Sequence, residues 1–152
     1  MDTATDSRPD RIERAVLIPT TPDRLWAALT VAGELAQWFG DSAAIDLRPG
    51  GAATFGWSDS GVEIDAVVEI VEPPHRFGFR WAAGNEEPLG GGQDTHVEFT
   101  LEAAAGGTLL RVVERGFAAL PAEIGTAAFD ENTHGWEAEL EDLVAHLRRA
   151  SV

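Results

Sequence analysis

The sequence predicts an α+β fold in which a curved antiparallel sheet of six to seven strands wraps around one long C-terminal helix. Three observations lead there. Between Ser42 and Arg115 apolar and polar residues alternate with period two, interrupted by glycine-rich turns, as in an antiparallel sheet with one dry face. From Pro121 to Arg149, the residues Phe129, Trp136, Leu140, Leu143 and Leu147 fall at steps of seven, four, three and four, one apolar stripe of an α-helix. The dry face of such a sheet needs a cover, and only this helix is long enough to supply it.

Taken in order, Arg11–Ile18 alternates loosely and stops at Pro19, as a strand does. Thr21 and Pro22 then read as an N-cap and a first helical position, opening a short helix whose apolar side is Leu25, Trp26 and Leu29. A second short helix, Ala32–Phe39, buries Leu35, Trp38 and Phe39 and stops at Gly40. Strands follow over Ala43–Leu47 and Ala52–Trp57, with Pro49-Gly50-Gly51 as the turn between them. Val62–Val71 is the clearest strand, with Val62, Ile64, Ala66, Val68 and Ile70 on one face and Glu63, Asp65 and Glu69 on the other. Pro73 and Pro74 end it. His75–Trp81 sets Phe77, Phe79 and Trp81 against Arg76 and Arg80, and a long loop, Ala82–Gly92, comes next. Thr95, Val97, Phe99 and Leu101 oppose Asp94, His96, Glu98 and Glu102; after a turn at Ala104–Gly107, Thr108–Arg115 is the last strand. In the terminal helix, Glu131, Glu139, Glu141, Asp142 and Arg149 lie off the stripe and are expected to face water, while Gly135 implies a bend or a close backbone approach.

At 152 residues one domain over 11–150 is expected, preceded by a polar, disordered tail over residues 1–10. That tail has no apolar core and does not read as a secretory signal, which makes the cytoplasm the default location. The 26 acidic residues stand against 11 basic ones, all arginine, for a net charge of −15. Such a field repels phosphate backbones and anionic lipid, so nucleic acid and membrane are excluded as partners. Cysteine is absent, which removes disulfide and thiolate chemistry.

Candidate site residues are those aimed at the gap between sheet and helix. Phe55, Trp57, Phe79, Trp81, Phe99 and Phe129 are the large ones, and either a binding cavity or a filled core accounts for them. Trp38, Ile64, Val68, Val97, Val112 and Trp136 extend the set of candidate ligand contacts. Glu114 shares a strand face with Leu110 and Val112; it is either an inward carboxyl that anchors a ligand or moves a proton, or a strand-end group near solvent paired with Arg115 or Arg80. Its position near the end favours the second. Thr133 either points its hydroxyl into the gap or bonds a carbonyl one turn back. His134 and Glu137 stand three apart on the helix, yet no second ligand pair accompanies them, so no metal and no cofactor is expected. Asp142 and His146 read as a surface pair. No nucleophile elbow, phosphate loop or dinucleotide fingerprint occurs, and no catalytic residue is assigned.

The run Ile18-Pro19-Thr20-Thr21-Pro22-Asp23-Arg24-Leu25-Trp26, followed by Leu35-Ala36-Gln37-Trp38-Phe39, resembles the opening of the SRPBCC (START/Bet v 1-like) superfamily, and within it the branch named after the activator of Hsp90 ATPase. Asp46-Leu47-Arg48-Pro49-Gly50-Gly51, Pro73-Pro74-His75-Arg76-Phe77 with Trp81, Gly107-Thr108-Leu109-Leu110 with Gly116-Phe117, and Gly135-Trp136 with Leu140 and Leu147 continue that likeness from Ile12 to Leu147. The resemblance implies a helix-grip fold with a cavity for a small, mostly hydrophobic molecule between sheet and helix, and no shared catalytic set. Phe129–Trp136 is then expected to border the cavity and Leu140–Leu147 to be plain core. The alternatives are an enzyme of the cyclase, dehydratase or hydrolase kind using a pocket carboxylate, and a chaperone-related interaction module without a ligand; a homodimer is compatible with each.

Overall fold

The computed structural model describes residues 10–82, 89–90 and 93–150. The expected tail, apart from Asp10, and most of the Ala82–Gly92 loop lie outside these residues. The elements run β1 (Arg11–Ile18), α1 (Pro22–Thr30), α2 (Ala32–Trp38), β2 (Ser42–Ile45), β3 (Ala52–Trp57), β4 (Val62–Glu72), β5 (Arg76–Ala82), β6 (Asp94–Ala104), β7 (Gly107–Arg115), a single 3-10 turn (Phe117–Ala119) and α3 (Ala122–Ala150). All seven strands join one antiparallel sheet in the order β1-β7-β6-β5-β4-β3-β2, so β1 and β2 form its edges. This is the helix-grip arrangement, with α3 lying across the concave side.

Local chemistry sets the boundaries. Thr21 caps α1 by accepting the Arg24 amide at 3.2 Å, with Pro22 in the first turn. Gly40 follows α2 with φ +75°, and a Cβ there would stand 2.2 Å from the Gly56 carbonyl oxygen. Only glycine lets α2 end this close to β3, and that approach brings Phe39 over the sheet. Phe39 packs on Phe55, Trp57, Trp81 and Trp136, with ring centroids 5.1–6.0 Å apart.

The inner face of the sheet is buried along its middle: Val68, Phe77, Phe79, Val97, Phe99, Leu101, Leu110 and Val112 are all core. From the helices, Leu25 and Leu29 of α1, Leu35 and Trp38 of α2, and Leu140, Leu143 and Leu147 of α3 meet them. The outer face carries ion pairs: Arg76 with Glu72 (3.2 Å) and Glu98 (2.8 Å), Arg80 with Glu69 (3.6 Å) and Asp94 (2.5 Å).

Three expectations change. In β4 the register shifts between Val68 and Ile70, so Val68 faces Phe79, Ile70 faces Gly78, and Val71 faces Phe77. A β-bulge thus moves Ile70 to the outer face and brings Val71 onto the core, which strict period two does not anticipate. A Cβ on Gly78 would sit 3.1 Å from Ile70, so the small residue makes room for the displaced side chain. At Gly135 a Cβ would meet nothing within 4 Å, so no neighbouring backbone approaches there. His146 does not form a surface pair with Asp142; it is buried, and its Nε2 lies 2.5 Å from Glu34 Oε1. Glu34 also receives Arg24 at 2.9 and 3.2 Å, clamping α1, α2 and α3 together. Burial pushes the Glu34 carboxyl upward, but the His146 and Arg24 contacts outweigh it and hold the group below the usual carboxylate range.

Candidate ligand-binding cavity

At the β3–β4 end the sheet and α3 diverge and leave a cavity of about 400 Å³, within the range of small-molecule sites. Its walls are built from three sides. The sheet supplies Trp57, Val62, Ile64, Trp81 and Ala82, with Ser60 from the β3–β4 turn. The helix supplies Asn132, Gly135, Trp136, Ala138 and Glu139, and Phe39 closes the third side. Trp57 and Val62 are register partners at the hairpin's mouth, which explains why both reach the cavity. Asp41 fixes that hairpin: its carboxylate accepts the Ser58 amide at 3.1 Å and, more closely, the Ser58 hydroxyl. The hydroxyl contact holds the Asp41 carboxyl below its ordinary value.

Of the residues singled out in the sequence, Trp57, Ile64, Trp81 and Trp136 come together on these walls. Phe55, Val68, Phe79, Val97, Phe99 and Val112 are buried between sheet and helix and do not line it. Trp38 is also core, its indole N–H donating to the Ala28 carbonyl at 2.8 Å. Phe129 packs edge-on against Phe117 at 5.3 Å, and the Thr133 hydroxyl donates to the Phe129 carbonyl at 2.7 Å. His134 Nδ1 lies 3.0 Å from the Asp130 carbonyl, and no metal-binding cluster occurs among the described residues.

Glu114 is neither near solvent nor paired with an arginine. It is fully buried, opposite Ile12 and Val97, and four side chains converge on it. Trp81 Nε1 (2.9 Å) and Thr95 Oγ1 (2.5 Å) reach Oε2; Trp136 Nε1 (2.9 Å) reaches Oε1; Asn132 Nδ2 reaches both oxygens at 3.0 Å. Indole and amide nitrogens can only donate, so both carboxyl oxygens must accept. Three of these donors also line the cavity. Glu114 therefore stands behind the wall and fixes how Trp81, Trp136 and Asn132 present themselves to it.

Glu139 was expected to face water and instead stands in the wall. It accepts the Trp57 indole N–H at 3.1 Å, and burial, reinforced by nearby Asp142, pushes its carboxyl up to about 7 against the pull of that hydrogen bond. At about 100° per residue, position 139 lies about 60° around the helix from Trp136, and Asn132 about 40° from it on the same side. A signal was therefore present: 132, 135, 136 and 139 share one helix face by i, i+3, i+4 spacing.

Chemically, the cavity joins four aromatic rings to one carboxyl group poised near neutrality. It can hold a flat apolar body and exchange one proton.

The model of the family "Activator of Hsp90 ATPase homolog 1-like protein" matches residues 19–148. A search among curated proteins produced no match. Among solved structures, protein MLL2253 from Mesorhizobium loti superposes with a TM-score of 0.77 at 24% identity, covering 91% of this chain and 97% of its own. DynU16, a protein of the dynemicin biosynthetic locus, gives 0.75 at 27% identity over 93% of this chain and 48% of its own. The Aha1 dimer from Colwellia psychrerythraea, solved in solution, gives 0.70 at 18% identity over 88% and 92%. No described helix is long and apolar enough to cross a membrane.

Proposed function

The chain belongs to the activator of Hsp90 ATPase homolog 1-like family, and on that footing we propose that it binds a small, mostly hydrophobic molecule in the cavity between β3–β5 and α3. The observation that carries this reading is the aromatic wall of Phe39, Trp57, Trp81 and Trp136 around about 400 Å³ of space. Trp57 and Ile64 on this wall are only partly buried, and a bound molecule would supply the packing contacts they lack. The place of DynU16 in a biosynthetic locus also favours a small molecule over a protein partner.

Three of the five tryptophans line the cavity, so intrinsic fluorescence reports its occupation. Titration with an apolar aromatic such as 2-methylnaphthalene is expected to quench this emission saturably. In Gly135→Leu the added side chain enters the cavity, since nothing stands within 4 Å of a Cβ there, and saturable quenching should vanish while the thermal transition remains cooperative. Unchanged binding by Gly135→Leu, or a native mass spectrum in which protein from its own source never carries a small molecule and no aromatic probe binds, would overturn the reading.

Glu139 favours a second reading, an enzyme of the cyclase, dehydratase or hydrolase kind. A carboxyl raised to about 7 in an apolar cavity is matched to proton transfer at neutral pH. Turnover of a bound molecule by the native chain, lost in Glu139→Gln with binding retained, is the result that establishes it.

A further inference from the structure

The polar atoms of the cavity wall are not a mixed set. Most side-chain donors are already committed: Trp57 Nε1 to Glu139, Trp81 and Trp136 Nε1 and one N–H of Asn132 Nδ2 to Glu114, and the Ser60 hydroxyl to the Trp57 carbonyl at 3.3 Å. The backbone of Trp81 and Ala82 is paired with β6, and that of α3 is used within the helix. What remains once Glu139 is ionised is chiefly acceptors: Asn132 Oδ1, the second Glu139 oxygen, and the ring of the partly buried Trp57, with the edges of Trp81 and Trp136 beside it. No arginine or histidine lines the cavity among the described residues.

We propose that the ligand is an organic cation, an amine or amidine on an aromatic or alicyclic body, whose N–H groups are received by Glu139 and Asn132 with the rings of Trp57, Trp81 and Trp136 around it. The inference rests on the cavity being a binding site and names the ligand's chemical class. Ring faces attract a cation through their quadrupole, most strongly where water is excluded. Once Glu139 is ionised, an anionic ligand would meet its like charge and an acceptor-only ligand would leave lone pairs unpaired. The net charge of −15 points the same way by raising the local concentration of cations.

Glu139 gives the selection a pH signature. The charged group acting on it is Asp142, on the same helix; the sheet and α2 bring only Phe39, Trp57, Ser60, Val62, Ile64, Trp81 and Ala82 to the cavity, none of which titrates near neutrality. With the carboxyl raised to about 7, a cation must draw its proton off at lower pH, so cation affinity rises with pH through that value and binding below it releases a proton.

A matched set of probes tests this: 2-naphthylmethylamine, 2-methylnaphthalene and 2-naphthoate, each titrated by calorimetry into the full chain. The amine is expected to bind about tenfold or more tighter than the hydrocarbon at pH 8, the naphthoate not at all, and the amine's advantage to collapse toward onefold in Glu139→Gln or at pH 5. Equal binding of amine and hydrocarbon, or preferred binding of the naphthoate, overturns the cation assignment and leaves the cavity a hydrophobic binding site. Binding of none of the three removes the cavity reading and this inference with it.

Discussion

Two carboxyl groups stand on the two sides of one tryptophan wall, Glu139 in the cavity and Glu114 behind it. Glu139 has a native-state value near 7 against 4.5 in the unfolded chain, so the native state holds more protons between those limits. The stability it contributes is full below about pH 4.5 and is lost as pH rises through 7. Glu139→Gln keeps an acceptor for Trp57 and never ionises. It should therefore be more stable than the parent at pH 8, by about 1–2 kcal/mol once partial exposure is allowed for, and equal to it at pH 4, as read from urea unfolding at the two values. Glu114 acts through geometry, because four side-chain donors converge on its two oxygens. Glu114→Ala should cost about 3 kcal/mol or more in the same assay, and Glu114→Gln less but still measurably, since its NH2 must face an N–H donor. Loss of near-ultraviolet tryptophan dichroism in both would report freed indoles; an unchanged signal would refute the positioning role. In the sequence, alternation put Glu114 on the inner face, but its partners come from β5, β6 and α3, far apart in the chain. Nothing local distinguishes a carboxyl with four buried donors from one at a frayed strand end.

At the scale of elements, α3 has two duties, and their boundary differs from the expected one. The helix stripe and the length of α3 were readable because 3.6-residue spacing is a local property. The cavity's position was not, since it depends on where the twisted sheet diverges from the helix. The cavity face runs from Asn132 to Glu139 and overlaps the core stripe at Trp136, while Phe129 packs against Phe117 of the 3-10 turn. Gly135 is then an open position in the cavity wall, and glycine in a helix costs up to about 1 kcal/mol against alanine. Gly135→Ala should raise the unfolding free energy by about that amount, because its methyl meets nothing within 4 Å, while narrowing the cavity by one methyl group. A destabilised Gly135→Ala would mean that the helix bends there in solution. The β4 bulge teaches the same limit: strand residues were legible by alternation up to Val68, and the shift that follows is set by Gly78 across the ladder.

For the whole molecule, the acidic excess acts on folding and on ligand capture with opposite signs. A net charge of −15 on a chain of this size repels itself, although Arg76 and Arg80 neutralise part of the outer sheet face. The Debye length falls from about 30 Å at 0.01 M salt to about 8 Å at 0.15 M, which screens repulsion between distant charges and leaves close pairs such as Arg80–Asp94 nearly untouched. Raising salt over that range should therefore move the urea midpoint upward. The same field draws a cation toward the cavity, so the association rate of 2-naphthylmethylamine should fall over that range while that of 2-methylnaphthalene stays flat. Stopped-flow tryptophan quenching measures both. A hydrophobic effect of salt alone would strengthen binding of both probes and stabilise the fold together, so a decrease confined to the amine, alongside a higher urea midpoint, separates long-range attraction from simple salting-out.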